Sequence, residues 1–240
     1  TSVAFNTEKL STYLAICDLM DGNHAWNWNN LKFCYDSKTK KLEPIGFDKG
    51  RGFNIVTLIG TEIREEYDSK FRKNRFFSDL TFTKKYISKL NKISQPKYLD
   101  SLLEFLSPNI EKNLSIIYKD YWYFNYTTKY FKENQTFISR MLNPENPLVV
   151  TLKNDSLNFL ELINRHYLPI ELIKISKDSL NLKINVVDKI IVGKEVNHPS
   201  EVKKIYLEDE FTKYADWTCY YKILGLNYTY KQKIISDNHK

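Results

Sequence analysis

The residues with the widest chemical repertoire in this 240-residue chain are gathered in one stretch, Asp18–Phe53. Its first half packs His24, Asn27, Asn29 and Asn30 together with Trp26 and Trp28. Its second half ends on Asp48 and on Arg51, which Gly50 and Gly52 flank. A site that handles nucleotide phosphates needs hard oxygen ligands for Mg²⁺, a group that moves a proton, and donors for phosphate oxygens. Asp48 can ligate a metal, Asn29 or Asn30 can add an amide oxygen, and Asp21 or His24 can carry a proton. Arg51 can donate to phosphate from a backbone that its two glycines allow to approach closely. The same residues also suit a plain turn, because Asn side chains bond local backbone and tolerate the left-handed region.

Something must hold the two halves together. Leu31–Asp36 alternates apolar and polar residues as a half-buried strand does, with Leu31, Phe33 and Tyr35 on one side. Ser37–Lys41 reads as a turn and Leu42–Phe47 as the returning strand, which Pro44 assigns to a sheet edge. Upstream, Asn6–Thr7 reads as the cap of a helix that ends near Gly22. That helix has Glu8 in its first turn and an apolar stripe through Leu10, Leu14 and Cys17. The polar cluster thus sits between a helix and a hairpin, and Asp48 follows the hairpin.

From Ser78 to Leu142 the pattern is helical. Ser78 or Asp79 caps a helix carrying Phe82, Tyr86, Ile87, Leu90 and Ile93; Pro96 and Pro108 each stand at a further helix start; a last helix spans about Thr127 to Leu142. The aromatic run Tyr121–Tyr126, with Tyr130, is expected to pack between these helices. Asn143–Pro147 ends the helical part, since two closely spaced prolines stop a helix. Beyond it the period becomes two, over short segments from Leu148–Leu152 to Tyr228–Ile235, which predicts a small antiparallel sandwich. The fold class is therefore α+β, helical first, with domains at 1–145 and 146–240.

Composition limits the partners. Hydrophobic residues form 42% of the chain and aromatics 15%, enough for a substantial core. The net charge is +7, but the lysines alternate with Asp and Glu, as on a solvated surface, and argue against nucleic acid. No apolar run is long enough for a membrane-spanning helix. Cys17, Cys34 and Cys219 are too few and scattered for a disulfide framework or zinc site, and Cys17 and Cys34 read as small core residues.

The wording of the stretch adds a family. His24-Ala25 is followed by Trp28-Asn29-Asn30, by Phe33-Cys34-Tyr35-Asp36, and by Leu42-Glu43-Pro44-Ile45-Gly46-Phe47-Asp48. Over residues 7–53 this resembles the spore-coat CotH kinase-like family, atypical protein kinases that are secreted or surface-associated. There, H-x-x-x-W-x-N leads to an aromatic strand, a turn and LEPI-x-[FW]-D. The resemblance implies a kinase C-lobe-like helical domain with a short hairpin, followed by an immunoglobulin-like β-sandwich. It implies ATP and Mg²⁺ as cofactors, Asn30 and Asp48 as metal ligands, Asp21 and His24 at the catalytic-loop acid or base, and Arg51 on phosphate. The implied partner is a protein substrate or cell-surface component. Many family members carry a second acid in the last motif, where this chain has Gly50. The chain is read as the C-terminal portion of a longer kinase, expected to be inactive when isolated from the nucleotide-clamping lobe. The alternative is a non-catalytic surface or carbohydrate-associated module in which Trp26 and Trp28 stack on sugars.

Overall fold

The computed structural model describes residues 1–27, 29–47, 52–61, 76–154, 158–177, 182–184, 189–194, 200–207 and 217–236. The fold is α+β and divides into two compact units: Thr1–Ile59 with Asp79–Asn143, and Gly60–Ser78 with Pro144–Lys240.

The first unit is built on α1 (Thr7–Leu19). Its cap is Asn6, whose side chain accepts from the Lys9 N–H and satisfies one of the free donors of the first turn. Leu10, Leu14, Ala15, Cys17 and Leu19 are buried along it. They meet α2 (Leu80–Ile93), capped by Asp79, whose Phe82, Tyr86, Ile87, Leu90 and Ile93 are all buried as expected. Ile138 and Leu142 of α4 (Lys129–Leu142) complete this core.

Strands β1 (Lys32–Asp36) and β2 (Lys41–Ile45) form the expected antiparallel hairpin. On the far side of β2, the Leu42 N–H donates to Ala4 and its carbonyl accepts from Asn6. By alternation Pro44 faces that same outer edge, where its missing N–H breaks no bond between the two strands. One face of the hairpin is covered, with Phe33 edge-on to Phe5 at 5.1 Å. Cys34 points the other way and is exposed, so it is not a core residue. Tyr35 is exposed too, and the alternation expected across Leu31, Phe33 and Tyr35 fails there.

Two further expectations are overturned. Helix α3 (Pro96–Asp120) runs straight through Pro108 instead of restarting at it. Pro108 is exposed, so the Glu104 carbonyl that loses its helical donor can be hydrated. Only Leu99 of α3 is buried. The aromatic run that follows leaves this sparsely covered helix, and Tyr121, Trp122, Tyr123, Phe124 and Tyr126 are exposed rather than packed.

The second unit holds two sheets. One has the order β11 (Ile235–Ser236), β3 (Leu148–Asn154), β4 (Asn158–Asn164), β8 (Val202–Tyr206). The other has the order β10 (Tyr230–Lys233), β9 (Thr218–Ile223), β5 (Ile170–Lys177), β6 (Leu182–Ile184), with β7 (Ile190–Ile191) also on β5. Among the described residues, the strand pairings in these two sheets are antiparallel except β11 with β3, which is parallel. The last expected strand, Tyr228–Ile235, is therefore divided between the two sheets. Gly193 lies against the backbone of Tyr167, where an added Cβ would come within 1.9 Å of the Tyr167 carbonyl oxygen. Among the described residues, no helix is long and apolar enough to cross a membrane.

Candidate functional site

Helix α1 ends at Leu19, and the chain turns into a 3₁₀ segment, Gly22–Trp26. Two residues make the turn possible. Asp21 takes φ 53° and ψ 40°, the left-handed region that Asp tolerates better than most residues. At Gly22 a Cβ would stand 3.0 Å from Cys17 Cα, so the chain folds back directly onto α1.

Within this turn the structure brings His24 and Asn30 together. The Asn30 amide nitrogen donates to the His24 carbonyl at 3.1 Å and lies 3.0 Å from His24 Nδ1. The carbonyl acceptor fixes which way the amide points. The same nitrogen lies 3.5 Å from His24 Nε2, so the amide sits against both ring nitrogens. Asn30 Oδ1 takes no part in these contacts and is a hard oxygen of the kind Mg²⁺ takes. Backbone bonds from Asn30 and Leu31 to the Asn27 carbonyl, both 2.9 Å, close the turn.

Asp21 does something different. Its Oδ2 accepts from the Phe53 N–H at 3.0 Å, across 32 positions. The chain just beyond Gly52, itself at φ 71°, is thereby tied to the start of the His24 turn. Two residues that the sequence reading passed over extend this anchorage. Asn134 of α4 is buried; its Oδ1 accepts from the Ile55 N–H at 2.9 Å, and its nitrogen donates to the carbonyls of Phe53 at 2.9 Å and Leu19 at 3.1 Å. Asp18 is fully buried, and its Oδ1 accepts from the Ile59 N–H at 2.8 Å. The signal for both was position. Asn134 falls on the apolar stripe four residues before Ile138, and Asp18 four after Leu14, where a polar side chain must bond internally.

Of the sequence-derived site residues, Asp21, His24 and Asn30 lie on one turn. Asp48 and Arg51 lie outside the described residues, as do Gly50 and Trp28. Trp26 is half-buried. Among the described residues, no group of three or more His, Cys, Asp or Glu side chains is placed to hold a metal ion. Comparisons with protein-family models, with curated proteins and with solved structures found no match.

Proposed function

We propose that the chain is the C-terminal part of a CotH-like atypical protein kinase, whose intact parent transfers phosphate from ATP to a surface or secreted protein. The observation that supports this reading is the Asp21–Phe53 hydrogen bond. It ties the end of the second motif to the head of the first, the proximity that a divided phosphotransfer site requires. In this reading the first domain is a kinase C-lobe-like helical lobe. Asn30 offers Oδ1, and Asp48 a carboxylate, to Mg²⁺. Bound there, the ion would supply neutralisation of phosphate charge. Arg51 donates to phosphate. His24, held by Asn30, and Asp21, whose Oδ2 is occupied by Phe53, orient the acceptor hydroxyl.

Isothermal titration of ATP with Mg²⁺ into the full-length parent tests the proposal. Binding should require Mg²⁺ and should weaken at least about tenfold in Asp48→Ala, the scale seen when metal-site groups are lost. Absence of Mg²⁺-dependent binding in the wild type sinks the kinase reading. Gly50, standing where the family has a second acid, motivates the other reading: a non-catalytic surface module that has kept the fold. That reading expects no nucleotide binding but retained association with a cell-surface polymer.

A further inference from the structure

The aromatic run after α3 stands out for its exposure. Trp122 is 81% and Tyr123 68% exposed, with Tyr121, Phe124 and Tyr126 exposed beside them. Water-facing rings at this density, within six consecutive positions, go beyond the scattered apolar residues of an ordinary surface. The rings contact one another edge-to-face: Trp122 with Tyr123 at 5.7 Å and 90°, and Tyr121 with Tyr123 at 6.2 Å and 83°. They make a knob, not a row of parallel platforms.

The knob leads directly into a cationic groove. An open cleft of about 530 Å³ begins at Thr127 and Thr128 and follows one face of α4 past Lys129, Lys132, Glu133 and Thr136 to Arg140, three cations against one acid. At about 1.5 Å per helical residue, Lys129 and Arg140 are about 16 Å apart along the axis, too far for one phosphate and suited to several. Their compensation is slight. Lys129 meets Glu133 at 3.8 Å and Lys132 meets Asp100 at 3.7 Å, all well exposed. Arg140 has no acidic partner among the described residues. Between positions 119 and 140 four cations face two acids.

We propose that this element docks the protein on an anionic lipid surface, with the Tyr121–Tyr126 knob seated among the headgroups and Lys129, Lys132 and Arg140 against lipid phosphates. Trp and Tyr favour the membrane interface, where an apolar ring and a polar edge are both accommodated. Stable attachment takes two signals, and the knob and the groove supply one each. A single-stranded nucleic acid would also use cations and aromatics, but bases stack on open ring faces. Here the edge-to-face contacts cover part of those faces. The inference is independent of the kinase reading, because no residue of the His24 turn takes part.

The test is co-sedimentation of the full chain with two kinds of vesicle, phosphatidylcholine alone and phosphatidylcholine with an equal share of phosphatidylserine. The protein should sediment with the mixed vesicles, not with the neutral ones, and added salt should weaken the association. Neutralising a cation should cost about fivefold in partitioning, and the triple variant Lys129→Gln, Lys132→Gln, Arg140→Gln about a hundredfold. Trp122→Ser with Tyr123→Ser should abolish sedimentation while leaving the circular dichroism spectrum unchanged. All five positions are exposed, so folding is not at stake. Failure of the wild type to bind mixed vesicles overturns the proposal, as does binding that these variants leave intact. So does binding to an oligothymidylate that the same variants abolish while vesicle binding is absent.

Discussion

Asp18 and Tyr86, 68 positions apart, meet in the core of the first unit, the tyrosine hydroxyl donating to Asp18 Oδ2 at 2.5 Å. The other carboxylate oxygen holds the Ile59 N–H, so one buried acid joins α1, α2 and the chain at Ile59. A buried carboxylate is tolerated only while its oxygens are supplied with donors, and removing one donor leaves the desolvation cost uncompensated.

Tyr86→Phe removes that hydroxyl and little else. It should lower the unfolding free energy by about 1.5–3 kcal/mol, the range for bonds to charged groups. Urea denaturation measures it. Asp18→Asn and the double variant complete a cycle, and a coupling near zero would show that the two side chains do not depend on each other.

Asn134 supports the chain nearer the candidate site. Asn134→Ala strands the Ile55 N–H and the carbonyls of Phe53 and Leu19 together, and should cost about 3 kcal/mol or more. Asn134→Asp keeps the acceptor for Ile55 but turns an oxygen toward two carbonyls, so it should be at least as damaging. Hydrogen exchange at Ile55 reports the local effect. Unchanged protection in Asn134→Ala would mean that other contacts hold this segment.

These two buried polar residues also show where sequence reading reaches its limit. The caps Asn6 and Asp79, the stripe Leu10–Leu14–Cys17 and the hairpin around Ser37–Lys41 are local patterns, and each appears in the structure where its spacing puts it. The turn that pairs His24 with Asn30 is local too. Which distant backbone groups Asp18, Asp21 and Asn134 hold depends on how α1, α2 and α4 pack, and no spacing along the chain encodes that. The aromatic run failed for a related reason. Tyr121–Tyr126 has core composition, but the helix before it buries only Leu99, and among the described residues no second layer covers the run.

The cysteines give a chemical readout of the same packing. Cys34 is exposed on β1, whereas Cys17 and Cys219 are buried, and burial pushes the Cys219 thiol up to about 12, leaving almost no thiolate at neutral pH. A thiol-specific disulfide reagent should therefore titrate one cysteine rapidly in the native protein and three in denaturant. Cys34→Ser should remove the fast phase. Rapid reaction of two or more thiols in the native chain would contradict the burial of Cys17 and Cys219.

Pro108 separates two descriptions of the 25-residue helix α3 by the sign of one substitution. At the first position of a new helix, proline is preorganised and its missing N–H costs nothing, so Pro108→Ala would be neutral or slightly destabilising. In the interior of a continuous helix, proline withholds a donor from the Glu104 carbonyl and crowds it. Alanine restores that bond at an exposed position where nothing else depends on the ring. Pro108→Ala should then stabilise the first unit by about 1–3 kcal/mol and raise the helical signal in far-ultraviolet circular dichroism. A loss of stability would place a helix boundary at Ser107, and the continuous helix would be wrong.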